Sequence, residues 1–137
     1  MKASLHAGVA LTRRIAIDRA RTIGFMGEDA RVYATPSMIL DIEHTCRELI
    51  LAHADAGEDS VGIEVAIKHL AATLTDMTVE IEVKVTAVEG RKIVFEVSAK
   101  DDIEPICSGS HARFVVNVDK TVERLRAKAA KRDAMKK

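Results

Sequence analysis

Three side chains able to do acid–base or nucleophilic chemistry stand out by type and spacing. Thr35 and Glu43 lie eight residues apart in the stretch ATPSMILDIEHTCRELI, and His69 lies in GIEVAIKHLA, further along the chain. A carboxylate can attack or act as a base, and a hydroxyl can orient it. An imidazole with an ordinary pKa of about 6.5 can relay a proton near neutral pH. Each also has a plain structural explanation. A Thr before Pro36 suits a helix N-cap, whose hydroxyl accepts an orphan backbone N–H, with the proline at the first helical position. A Glu at the margin of an apolar stripe can snorkel to solvent. A His among apolar strand residues can be a hydrogen-bonded core residue.

The elements that must hold these residues follow from periodicity. At 100° per residue, Met38, Ile39, Ile42, Cys46, Leu49 and Ile50 fall within an arc of about 120°. Asp41, His44, Arg47 and Glu48 fall outside it, and Glu43 sits just beyond the apolar edge. The pattern predicts a long helix over about 36–55, stopped by Gly57. After it the period changes to two. Ile63, Val65, Ile67, His69 and Ala71 share one face of a strand. MTVEIEVKVTAV and IVFEVSAK alternate cleanly, joined by a turn at EGRK. PICSGSHARFVVNV reads as a long last strand, with Cys107, Gly109, His111 and Arg113 on one face. Residues 5–19 are read as a first strand. TIGFMGEDARVYATP, punctuated by Gly24 and Gly27, is read as a loop. Residues 119–137 form a basic C-terminal helix. A strand, a helix and four strands on short connections give an antiparallel sheet of about five strands packed on one helix. This is an α+β class domain occupying 1–137 as a single unit.

Composition narrows the partners. Lys plus Arg and Asp plus Glu are equal at 21 each, and there are one Tyr, three Phe and no Trp. A neutral surface with few aromatics argues against nucleic acid, which rewards basic patches and stacking platforms. No apolar run approaches the roughly 20 residues that span a bilayer, so no membrane partner is expected. MKASLHAGVALTRRIAID does not read as a secretory signal, because Arg13 and Arg14 interrupt a short apolar run. Cys46 and Cys107 lack metal-ligand spacing, as do His44 and His53, so no metal site is expected. Free thiols in a reducing cytoplasm are the default. His6, His44 and His53 are expected to face solvent.

Four stretches in order, VYATPSMILDIEHTC, SVGIEVAIKHLAAT, AVEGRKIVFEVSAKD and CSGSHARFVV, resemble the fluoroacetyl-CoA thioesterase family of the hot-dog superfamily. The likeness runs from about residue 30 to residue 118. It implies a hot-dog fold, in which the sheet wraps the central helix. It also implies an acyl-CoA substrate, with no cofactor beyond the coenzyme A the substrate carries, and a homodimer whose sheets join edge to edge with active sites at the seam. The family's catalytic threonine, glutamate and histidine match Thr35, Glu43 and His69, and a glycine and a last-strand arginine match Gly62 and Arg113. In that frame Glu43 attacks the thioester carbonyl or activates a water, His69 relays a proton, and Thr35 orients Glu43 or shares its proton. The family places a phenylalanine-bearing gate before the helix; the loop here has Phe25 early, and Met26, Asp29 and Arg31 nearer the helix. Lys68, Arg91, Lys92 and the C-terminal basic residues are candidates for the phosphates of CoA. A non-catalytic acyl-CoA or small-ligand binding module is the rival reading. A hydratase or dehydratase on the same fold is a third.

Overall fold

The computed structural model describes residues 1–136. Strand β1 (Ala10–Ala16) is followed by two short strands, β2 (Thr22–Ile23) and β3 (Val32–Tyr33), and then by helix α1 (Thr35–Leu51). Strands β4 (Glu58–His69), β5 (Thr78–Glu89), β6 (Lys92–Lys100) and β7 (Pro105–Asn117) come next, and helix α2 (Val118–Met135) closes the chain. The main sheet has the order β1-β5-β6-β7-β4, with every neighbouring pair antiparallel. The strand that follows the helix therefore forms one edge, and the first strand forms the other.

The core lies between one sheet face and α1. Alternation places Val79, Ile81, Val83 and Val85 of β5 and Ile93, Phe95 and Val97 of β6 on the buried face. Met38, Ile42, Cys46, Leu49 and Ile50 of α1 meet them. These are the residues that the 3.6 and 2.0 periods select, because each element has one apolar side to remove from water.

Local chemistry moves several boundaries from their sequence-based positions. Helix α1 ends at Leu51 rather than near 55. The Ala52 and His53 amides close its last turn on Glu48 and Ile50. Asp55 to Glu58 then form a separate turn, in which Gly57 adopts φ +81° and Glu58 accepts from the Asp55 amide. A glycine at positive φ inside a turn reverses the chain, which a helix stop does not require. The first strand is shorter than 5–19, because Asp18 caps a 3-10 turn over Arg19–Arg21. The stretch read as a loop contains the β2–β3 hairpin, paired Thr22 to Tyr33 and Ile23 to Val32. Helix α2 begins one residue before the expected 119, with the Asn117 side chain accepting from the Lys120 amide. Lys137, the last residue of the expected C-terminal helix, lies outside the described residues.

Strand β4 departs from simple alternation. Gly62 pairs with Arg113, yet Glu64 pairs with the next residue back, Ala112. The extra residue at this bulge is Ile63, which is 51 % exposed. The face turned toward α1 is therefore Gly62, Val65, Ile67 and His69, without Ile63.

Asp41, placed outside the apolar arc by periodicity, is buried. Tyr33 Oη donates to its Oδ2 at 2.6 Å, and Arg21 Nε donates to the same oxygen at 2.9 Å. Burial, then the Asp41 contact, pushes the Tyr33 phenol far up. This cluster fastens the β2–β3 hairpin and the turn before it to the first half of α1. Removing the carboxylate leaves a buried phenol without its acceptor. Asp41→Ala is expected to lose about 2–4 kcal/mol of stability in urea denaturation.

Candidate active site

Thr35 is the first residue of α1 rather than its cap. Ala34 holds the cap position in an extended conformation, and no side chain caps the helix. The Thr35 hydroxyl is free of the backbone for this reason. It shares a hydrogen bond of 2.7 Å with His69 Nδ1, at the far end of β4. The other ring nitrogen, Nε2, is buried and bonds to nothing among the described residues. Burial lowers the pKa of His69, so the ring is neutral at pH 7.

This pair opens onto a cleft of about 470 Å³ lined by Ile23, Phe25, Thr35, His69, Leu70 and Ala71. The volume is within the range of small-molecule sites, and the walls are mostly apolar. Phe25, from the loop between β2 and β3, is 75 % exposed and stands at this cleft. The hairpin that carries the Ile23 and Tyr33 walls is the one Asp41 fastens. Sequence reading missed that support. The sole tyrosine of the chain, eight residues before an acid on the same helix approach, was its only trace.

Glu43 lies elsewhere on α1, two turns beyond Thr35 and half-buried. Its Oε1 is 3.0 Å from the position a Cβ on Gly62 would take. The same position is 3.3 Å from His111 Cε1 and 3.5 Å from Arg113 Nη1. Gly62 is thus the residue that lets β4 approach the carboxylate closely. Arg113 is buried. Its Nε donates to Ser60 Oγ at 2.7 Å, and its Nη2 donates to the Ser60 carbonyl at 2.8 Å. Burial lowers its pKa, and Glu43 is the foremost group that offsets this.

The structure therefore brings Thr35 to His69, and Glu43 to Gly62 and Arg113, but does not bring the two groups together within one chain. Eight residues of helix separate Thr35 from Glu43 by about 12 Å. Seven residues of strand separate Gly62 from His69 by roughly 20 Å. The basic candidates do not form one patch either. Lys68 lies opposite Ser108 on the sheet face away from α1, and Lys92 lies opposite Phe114 on that same face. Six residues along β7 put these two about 20 Å apart. Arg91 is engaged with Glu58 Oε2 at 3.2 Å and with the Val115 carbonyl.

Other nucleophiles are poorly placed. Burial pushes the Cys46 thiol up to about 12 and the Cys107 thiol up to about 11, so neither is a thiolate near neutral pH. Among the described residues, no group of three or more His, Cys, Asp and Glu side chains is arranged to hold a metal ion. His6 and His44 are exposed, while His53 is half-buried and bonded to Ser4.

The fold and the placement of these side chains can be set against known proteins. The family model described as fluoroacetyl-CoA-specific thioesterase matches residues 17–119. The chain belongs to this family. It is 29% identical over 135 residues to the fluoroacetyl-CoA thioesterase of Streptantibioticus cattleyicolor, covering 93% of this chain and 97% of that protein. A solved structure of a fluoroacetyl-CoA thioesterase is similar with a TM-score of 0.83 at 28% identity, covering 90% of this chain and 97% of that one. A thioesterase-superfamily protein of Thermus thermophilus has a TM-score of 0.85 at 24% identity, covering 93% and 96% of the two chains, which extends the likeness of fold. The family's hot-dog arrangement is the one seen here, with a five-stranded antiparallel sheet around one central helix.

Burial of two histidines sets a stability prediction. Burial lowers both His69 and His111 from the ordinary value. Below about pH 6.5 the unfolded chain therefore binds protons on these rings that the folded chain does not. Stability is retained above that value and is lost as pH falls below it. The urea midpoint is expected to be lower at pH 5.5 than at pH 7, a window above the range in which carboxylates titrate.

Proposed function

We propose that the chain hydrolyses a short acyl-CoA thioester, with Thr35, Glu43 and His69 as its catalytic side chains. The observation that carries this reading is the 2.7 Å Thr35–His69 hydrogen bond at the mouth of an apolar cleft. It joins two of the three residues that the family resemblance selects. Glu43 supplies the attack on the carbonyl, through its own carboxylate or through a water it deprotonates. His69, held neutral by burial, gives a proton to the departing thiolate and regains one from the water, which either attacks the thioester directly or hydrolyses the anhydride left on Glu43. Thr35 fixes the orientation of the ring. Amide groups at the start of α1 are free to polarise the carbonyl oxygen, since no side chain caps them. The structure of a fluoroacetyl-CoA thioesterase variant with fluoroacetate and CoA, 28% identical to this chain, supports a substrate of the same type.

The working form in this reading is a homodimer joined through β4. That strand is an edge and exposes Val61, Ile63 and Val65. An exposed apolar edge is stable only when covered. The cellular setting is the cytoplasm, where Cys46 and Cys107, both free and buried, stay reduced. No described helix is long and apolar enough to cross a membrane.

A panel of acyl-CoAs of increasing chain length, assayed for free thiol, tests the reading. The expected result is turnover of short acyl groups that depends on Glu43. Tight CoA-ester binding, seen as a thermal shift without thiol release, would instead make the chain a binding module.

A further inference from the structure

His111 has a set of partners that the hydrolysis as described does not use. It is buried on β7. Its Nδ1 lies 2.8 Å from the carbonyl oxygen of Glu64, the residue that closes the bulge in β4. A carbonyl oxygen only accepts, so Nδ1 carries the proton. The lone pair on Nε2 is then available, and Arg113 Nη1 donates to it across 3.2 Å. These two contacts fix both the tautomer and the plane of the ring.

Arg113 is thereby bonded at all three guanidinium nitrogens, to Ser60 through two and to His111 through the third. The nitrogen that His111 holds is the one facing Gly62, across which lies Glu43 Oε1. Cation and carboxylate face each other over the glycine without a direct hydrogen bond.

We propose that His111 is a positioning residue for the reaction. As a neutral acceptor it holds Arg113 Nη1 beside Glu43, so that a buried positive charge is kept against the attacking carboxylate. The inference rests on the reading of Glu43 as the source of the attack. Neutrality is essential to the role. A doubly protonated ring would present N–H to N–H and set a second cation against Arg113. The groups facing the ring are the Glu64 carbonyl from β4, Arg113 from its own strand and Glu43 from α1. Burial lowers its pKa most, the Glu64 carbonyl opposes this, Arg113 lowers it further and Glu43 opposes that.

Two substitutions separate positioning from packing. His111→Gln places an amide oxygen where Nε2 was and can still accept from Arg113. His111→Leu fills similar volume and cannot accept. His111→Leu is expected to lower kcat by about tenfold or more with KM within about threefold, and His111→Gln to stay within about threefold of wild type. Arg113→Met should cost a similar factor, and the double variant His111→Leu/Arg113→Met should cost little beyond either single change. Equal losses in the Gln and Leu variants, or losses that multiply in the double variant, overturn the proposal.

A readout free of turnover is the nitrogen-15 spectrum of the imidazoles. Wild type should show His111 as the neutral Nδ1–H tautomer at pH 7. Arg113→Met should keep that tautomer, because the Glu64 carbonyl still accepts from Nδ1, but should shift the Nε2 resonance, whose lone pair has lost its donor. An Nε2–H ring in wild type overturns the proposal. Turnover by wild type with no loss in His111→Leu overturns this inference alone. Absence of turnover on every acyl-CoA overturns the hydrolase reading and this inference with it.

Discussion

Replacing Glu43 by Gln is expected to lower kcat for any acyl-CoA the wild type hydrolyses by about a thousandfold, with little change in melting temperature. The amide keeps the size and shape of the carboxylate but can neither attack nor take a proton from water. Glu43 is half-buried and makes no hydrogen bond among the described residues, so its charge enters the fold only by offsetting the burial of Arg113. Its neighbours nevertheless limit its freedom. Gly62 leaves it room, and Arg113 faces it from the buried side. Glu43→Asp is informative beside it. The shorter side chain keeps the charge but withdraws it from the site, and should recover only a small part of the loss. Circular dichroism and thermal melting of each variant separate chemistry from folding. Retention of more than about a tenth of wild-type kcat in Glu43→Gln would remove Glu43 from the attacking role.

Much of this arrangement is legible in the sequence, and the exceptions have physical causes. The apolar stripe from Met38 to Ile50 and the alternating runs of β5 and β6 are read directly, because burial on one side leaves a period that propensity cannot hide. His69 falls on the helix-facing side of β4, as alternation expects. The bulge at Ile63 is not legible, since one extra residue in a strand alters no local pattern and only shows in the pairing with β7. Thr35 reads as an N-cap from its place before Pro36. The cap is instead Ala34, because the partner that wins the hydroxyl is His69, 34 residues away. Asp41 reads as a surface residue on the polar side of α1. It is buried because the β2–β3 hairpin folds over it and supplies Tyr33 and Arg21. The short hairpin was itself obscured by Gly24 and Gly27. In each case a long-range polar contact overrides a local rule, and such contacts leave no periodic trace.

The separation between the two halves of the catalytic set leads to the second large effect. Within one chain, Glu43 sits at Gly62 while Thr35 and His69 sit at the other end of β4, too far apart for proton transfer. A homodimer closes that gap if two copies of β4 pair antiparallel about a two-fold axis near Val65. In that register, with the bulge at Ile63 counted, Gly62 of one chain lies opposite the partner subunit's Ile67, and Glu43 comes near the partner subunit's His69. An isologous interface repeats the arrangement, giving two equivalent sites per dimer. Each site would draw Glu43 from one chain and the Thr35–His69 pair from the other. Mixing a Glu43→Ala chain with a His69→Ala chain then has a defined outcome. Each homodimer is inactive, and each heterodimer has one site with both defects and one with neither. After random re-association, half the dimers are heterodimers, so activity should return to about a quarter of the wild-type value. The mixture must first be dissociated, and sedimentation should show that dimers have re-formed. A fully active species of about 15 kDa would exclude the shared site. So would a re-associated mixture that stays inactive while wild-type chains treated in the same way recover. The exposed edge formed by Val61, Ile63 and Val65 supplies an independent arm. A charged residue at Val65 should weaken association and reduce activity together, since the same strand would hold the dimer and bring the two half-sites into contact.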